Sequence, residues 1–529
     1  MYDYIIKDGK IIDGSGTPWF KSDIAISDGK IKKIAKLDKD NTEKIIDAEG
    51  LVVSPGFIDI HTHSDLTVLV NGKSESKIRQ GVTTEVIGNC GSSPAPAYGE
   101  GYKHLKEELK DYGLSYNWKS YKKFLEVMNK KDKSVNIVPL VGHGALRRSV
   151  LGYENRKPTS EELNKMKNLL KKAMEAGAIG FSSGLIYPPS SYAETEELIE
   201  LAKTAAKFGG IYTTHMRFEG EKLVEGVKEA IKIGEESGIS VQISHHKVTV
   251  KNSWGLVSGT LEMMREARKR GVDVSCDVYP YPATSTGLDS ILPDWAHEGG
   301  LEDLLERLEN KITKSEIIKF LEKNERPRGF ENIMVTSIHS NENKRFEGKN
   351  IRDIGDELGI TAEETVIKLV LEEKAKVCMI RFAMSETDIK NVIADPLAMI
   401  CSDAGSRADY GSLAEGKPHP RAFGAFPRVL GKYSREEKVI SLEEAIYKMT
   451  GLTAWRLGLQ NKGLLKEGMD ADITIFDPEI IEDKATFIDP LQYPAGIAKV
   501  IVNGEIVVDS GEHTGNMPGK LVVKNRKKS

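Results

Sequence analysis

Two histidines one residue apart, His61 and His63, close the apolar run Phe57-Ile58-Asp59-Ile60. Side chains two apart on a strand leave the same face. A strand here would therefore end in two imidazoles able to grip one cation. The device recurs along the chain: His215 follows Ile211 to Thr214, His245 follows Val241 to Ser244, and Asp403 follows Ala398 to Ser402. Cys90 sits in Gly88-Asn89-Cys90-Gly91, where flanking glycines keep the sulfur accessible. A thiolate beside imidazoles is a soft S/N donor set that favours zinc over magnesium or calcium and can bridge two metals. A carboxylate at Asp403 could take a proton from metal-bound water and return it to a leaving group.

Singly, each residue also has a plainer reading. His61 and His63 suit polar residues closing a strand, and His215 or His245 suits a hydrogen-bonded core histidine. Cys90 suits an inert buried thiol, and Asp403 a turn cap. Asp59, one step deeper on the face of His61 and His63, would either hold an imidazole or lie in the interior. His246, next to His245, is expected to face away and pack. Cys276, Cys378 and Cys401 are read as core.

The elements that must carry these residues alternate. Strand candidates run over 57–60, 83–87, 136–141, 178–181, 211–214, 241–244, 272–275 and 398–402. Amphipathic helical patterns between them include 159–176, 194–208, 221–237 and 260–270. Eight such strands are what an α/β chain needs for a (β/α)8 TIM-type barrel, in which all strand C-termini open on one face. The interval before the last strand is too long for a simple connection, so a helical insertion is expected over about 286–345. Residues 1–55 and 460–529 have another texture, alternating strands cut by turn pairs such as Asp28-Gly29 and Asn503-Gly504. They predict one small β domain built from both termini, flanking a barrel over 56–459.

Composition narrows the function classes. The chain has 529 residues, 39% hydrophobic and 29% charged, with a formal net charge of −4. That is globular, and gives no reason to expect nucleic acid as a partner. Four scattered cysteines make no disulfide framework. No signal peptide is read in MYDYIIKDGK and no uncharged run is long enough for a bilayer, so the expectation is a cytoplasmic protein without a membrane partner. The basic tail Lys524 to Ser529 is read as a solvated end. Assembly into a homo-oligomer is left open.

The Pro55-Gly-Phe-Ile-Asp-Ile-His-Thr-His63 run, the strand-end histidines and the late aspartate resemble the amidohydrolase superfamily. The Gly88-Asn-Cys-Gly91 segment is similar to its N-acyl-D-amino-acid deacylase (D-aminoacylase) branch, where a cysteine replaces the bridging carboxylated lysine. The resemblance spans essentially the whole chain. It implies hydrolysis of the amide of a small N-acyl-D-amino acid by zinc-activated water, with Asp403 as general acid/base. It further implies one tight zinc on Cys90, His215 and His245, and a second, weaker site on His61 and His63 with Cys90 shared. The substrate would meet Arg421 (in His419-Pro420-Arg421), Lys247, Tyr279, Ser285 and Tyr187. An arginine that reads acidic side chains in some relatives is matched here by Leu292, which implies apolar substrates. Rival readings are a cyclic-amide hydrolase of the dihydroorotase or hydantoinase kind, a dipeptidase, and a metal-binding barrel without catalysis.

Overall fold

The computed structural model describes residues 1–38, 41, 42 and 44–524. Most of the basic tail, from residue 525 on, therefore lies outside the described residues. Eight parallel strands form the centre: β1 Phe57–Asp59, β2 Val82–Ile87, β3 Asn136–Pro139, β4 Gly180–Gly184, β5 Ile211–His215, β6 Ser240–Ile243, β7 Val274–Val278 and β8 Ala398–Ile400. A two-residue continuation of β3, Val141–Gly142, pairs with β4, so β3 serves both neighbours. Past the ends of β8 and β1, a parallel bridge between Thr62 and Ala404 closes the ring. This is a (β/α)8 barrel, and its closing seam is the segment that holds His61, His63 and Asp403.

Local chemistry explains the helices and two shifted strands. Thr159 caps helix Ser160–Ala176 in a reciprocal capping box with Glu162. Gly177, at φ +124°, ends that helix, and the Ala178 amide donates back to the Ala173 carbonyl, a Schellman closure. Ala178 is thus spent on the turn, and β4 begins at Gly180 rather than 178. The same closure, from the Val272 amide to the Ala267 carbonyl past Gly271, moves β7 to 274–278.

Between β7 and β8 the insertion runs from 283 to 382, longer than the expected 286–345 and not purely helical. Strands Ala283–Gly287 and Ile333–Ser337 both pair antiparallel with Cys378–Phe382, and four helices pack on them. It buries its own apolar cluster, including Leu304, Leu321, Phe346 and Val366. The two chain ends share one seven-stranded sheet, in which Ile473–Phe476 pairs antiparallel with Val52–Pro55 immediately before β1. No helix among the described residues is long and apolar enough to cross a membrane.

Candidate metal centre and active site

The strand ends converge. Cys90 Sγ lies 3.2 Å from His61 Nε2, 3.5 Å from His245 Nε2 and 3.7 Å from His215 Nδ1. His63 Nε2 and His61 Nε2 lie 3.0 and 3.3 Å from Asp403 Oδ1. The donors fall into two groups that share Cys90: Cys90, His215 and His245, and His61, His63, Cys90 and Asp403. Within each group the ligand atoms lie within 4.8 Å of one another. Tetrahedral zinc, at about 2.3 Å from sulfur and 2.0–2.1 Å from nitrogen, sets an S···N separation of about 3.6 Å. The sulfur distances to His215 and His245 match that spacing, so the donor set fits zinc.

Backbone strain aims three of these side chains. Cys90 (φ +50°), His245 (φ +37°) and Asp403 (φ +51°) all occupy the left-handed region, each two or three residues past its strand. Such residues cost about 1–3 kcal/mol each and persist only where the surroundings hold them. The glycine before Cys90 has a separate reason: a Cβ on Gly88 would sit 2.0 Å from the Leu140 carbonyl oxygen.

Charge follows from geometry. Burial opposes a thiolate, yet His61, His215 and His245 outweigh it and hold Cys90 well below the ordinary thiol range. Burial also disfavours imidazolium at His63 and His215. Asp403 and Cys90 nevertheless raise His63 to about 9, and Glu219 and Cys90 raise His215 to about 9. Burial works against the Asp403 carboxylate too, but Arg421, His245, His63 and His61 keep it well below the usual carboxylate range. A cation among these donors takes the place of those protons.

The amidohydrolase family model matches residues 44–310 and 406–508. The chain belongs to that family, in its N-acyl-D-amino-acid deacylase branch. It is 37% identical over 99% of its length to a D-aminoacylase of Alcaligenes xylosoxydans xylosoxydans, covering 98% of that protein. An N-acyl-D-aspartate deacylase from the same organism is 35% identical, with 98% of this chain and 95% of that protein covered. An N-acyl-D-glutamate deacylase from Bordetella bronchiseptica, solved with zinc and a phosphonate mimic of the tetrahedral intermediate, superimposes with a TM-score of 0.84. It is 32% identical, and the match covers 99% of this chain and 100% of that one.

In this amidohydrolase a cavity of about 1360 Å³ opens over the donors, walled by the barrel rim and roofed by the insertion. Arg421, Lys247, Tyr279, Ser285 and Tyr187 all line it. Arg421 Nη1 is 2.7 Å from Asp403 Oδ2, and its guanidinium stacks 4.5 Å from the centre of the Tyr279 ring. Burial pushes the Tyr279 and Tyr187 phenols well up, so both remain hydrogen-bond donors. Ser285 meets Arg421 through its backbone carbonyl, 3.4 Å from Nη2. Lys247 is committed elsewhere: its Nζ lies 2.7 Å from Glu219 Oε1 and 2.7 Å from His245 Nδ1.

Some expectations are corrected. Leu292 is buried in the insertion's apolar cluster, not on the cavity wall, because it follows a short helical turn that points it into that cluster. Cys378 is exposed, at the end of an insertion strand, whereas Cys276 and Cys401 are buried. Of the two readings of Asp59 the interior one holds: it pairs with the fully buried Lys77 at 2.9 Å inside the barrel rather than with an imidazole ring. His246 does face away, 2.9 Å from Thr260 Oγ1.

Two carboxylates escaped the sequence reading of the centre. Glu219 touches His215 Nε2 at 3.3 Å and His245 Nδ1 at 3.1 Å, fixing both rings as well as Lys247. Asp277 Oδ1 accepts from the His245 amide at 2.7 Å and lies 3.6 Å from His61 Nδ1. Glu219 had a faint signal, a carboxylate four residues past a strand-end histidine. Asp277, which the structure places inside β7, follows the apolar run 272–275 in the sequence much as Asp403 follows 398–402, and spacing alone does not separate their roles.

Proposed function

We propose that this chain is a zinc-dependent hydrolase of N-acyl-D-amino acids, releasing a carboxylate and the free D-amino acid. One observation carries the reading. A buried thiol stands within 3.7 Å of three imidazoles, beside a carboxylate that faces both the donors and an arginine in one cavity. Cys90, His215 and His245 would hold the tighter ion; His61 and His63, with Cys90 shared, would hold a weaker one. When bound, zinc polarises an amide carbonyl and acidifies water at neutral pH.

The chain's own groups supply the rest. Asp403, ionised, accepts the proton of the attacking water at Oδ1 and delivers it to the departing nitrogen, without which an amine is a poor leaving group. Arg421 offers the substrate α-carboxylate a bidentate partner, competing with its present contact to Asp403. Tyr279 and Tyr187 donate from the walls, and the anchored carboxylate fixes which face of the amide meets the water. Glu219 keeps the His215 and His245 rings in their ligating orientation.

The test is metal analysis of the purified protein together with hydrolysis of N-acetyl-D-methionine and N-acetyl-L-methionine, with a cyclic ureide alongside. Zinc with D-selective cleavage supports the reading. A protein that binds no zinc, or that prefers the ureide, refutes it.

A further inference from the structure

The ring of strands has one weak join, and Asp403 sits in it. From β1 round to β8 each strand meets the next through a parallel ladder. Between β8 and β1 the described residues show only the single bridge from Thr62 to Ala404. Asp403 lies one residue before that bridge, in a left-handed turn (φ +51°) that persists only where its surroundings hold it. Two backbone bonds cross the gap. The Asp403 amide donates to the His61 carbonyl at 2.9 Å, and the His63 amide to the Ala404 carbonyl at 3.3 Å. They fix two points of the turn and leave Ser402 to be held by side chains.

A buried lysine completes the join. Lys77, on the one-turn helix Glu75–Ile78 ahead of β2, is fully buried and lies off the cavity wall. An ammonium has three donors and no acceptor. All three are used: Nζ donates to Asp59 Oδ2 at 2.9 Å, to the Ala404 carbonyl at 2.8 Å and to Ser402 Oγ. Asp59 Oδ1 accepts from the Ser402 amide at 2.9 Å and from the His61 amide at 3.4 Å. Ser402 Oγ also accepts from the Ala404 amide at 3.2 Å, closing the turn around Asp403. Lys77 therefore grips the residues on both sides of Asp403, while Asp59 ties the same turn to the end of β1. Stability alone gives little reason for such a pair. Taking two charges out of water costs about what their attraction returns, and apolar residues of similar volume often do as well. What the pair supplies is direction, because three acceptors from two chain segments must meet at one nitrogen.

We propose that Lys77 is a positioning residue for the reaction. By holding Ser402 and Ala404 against Asp59, it keeps the Asp403 carboxylate between His63, at 3.0 Å, and Arg421, at 2.7 Å. The inference rests on the reading of Asp403 as general acid/base and goes beyond it by naming what aims that group. A reacting group misplaced by about 1 Å can lose about 10²-fold in rate, even when the substitution is remote from the chemistry.

Steady-state kinetics of zinc-loaded enzyme on N-acetyl-D-methionine, with chelator competition for zinc in parallel, tests it. Lys77→Met alone strands the Asp59 charge, so the neutral pair Lys77→Met with Asp59→Asn is made alongside. We expect both to lose about 10²-fold in kcat, with KM and the affinity of the tighter zinc unchanged. Ser402→Ala keeps the ion pair and removes one of its holds on the turn. It should lose about two- to tenfold in kcat, the scale of one hydrogen bond, and it gives the answer even if neither Lys77 variant folds. The deciding arm is Asp403→Asn. In that background the Lys77 and Ser402 substitutions should cost little more, because they act through the group already removed. A merely structural lysine would instead multiply the two losses. Multiplied losses, zinc lost together with turnover in the neutral pair, or an unchanged kcat in all three variants overturns the positioning role and leaves the deacylase reading standing. An Asp403→Asn protein with full activity overturns the reading of Asp403 on which it rests.

Discussion

The barrel rim and the insertion both face the same cavity, yet they are built on different terms. At the rim, each donor sits at or a few residues beyond the end of a strand whose neighbours are fixed by a closed ring, and Cys90, His245 and Asp403 are held in strained turns. The insertion has its own apolar cluster and its own three-stranded sheet, and it offers the cavity side chains from mid-strand and helix-end positions. The rim is pre-organised for one geometry, whereas the roof is a separately packed unit that can vary without disturbing the donors.

The sharpest way to break that division is at the rim. We expect Cys90→Ala to lose zinc and turnover together, and Asp403→Asn to keep its zinc while kcat falls by about 10²–10⁴, read by metal analysis and steady-state kinetics. A fully metallated, active Cys90→Ala protein would sink the assignment. On the roof, Leu321→Ala should destabilise the insertion by about 2–5 kcal/mol, with zinc stoichiometry unchanged. Denaturation followed by an insertion probe, with zinc content measured in parallel, checks it; joint loss would mean the two regions are one unit.

Smaller effects sharpen the contrast. Glu219→Gln should weaken zinc about 10–100-fold in chelator competition, because the rings of His215 and His245 lose their common anchor. Protons report the same site. His63 and His215, raised to about 9, are protonated below that pH in the metal-free protein. Zinc must displace those protons, so its apparent affinity should rise as pH approaches 9 and flatten beyond it, with proton release measurable by calorimetry in buffers of different ionisation heat. At the low end, Lys376 meets Asp111 at 2.6 Å across the cavity mouth, with both side chains about a third exposed. Lys376→Ala should shift stability by less than about 1 kcal/mol in a denaturant titration.

The sequence made the rim legible because barrel strands announce themselves as short apolar runs, and a polar residue at their ends has few other reasons to be there. Even so, β4 and β7 begin two residues late, since Ala178 and Val272 look like strand but complete helix-ending turns. The roof was harder to read. Leu292 was matched along the chain, but its direction depends on how the insertion packs on itself. Arg381, Arg328 and Glu325, which line the cavity, come together only through strand pairing and a helix end, and no spacing reports that. Glu219 lay in plain sight four residues past His215, but a carboxylate at that spacing is common on any surface.

The shared terminal sheet ties the order of synthesis to the order of folding. Ser54 hydrogen-bonds to Thr474, 420 residues further on, so the strand that leads into β1 emerges from the ribosome long before its partner exists. Until then Val52 and Val53 belong to an unpaired, apolar edge, the kind that sticks to other nascent chains. The lead-in to the barrel's first strand therefore gains this partner only after translation of the second β segment, and a chain stopped short of it would leave that edge open.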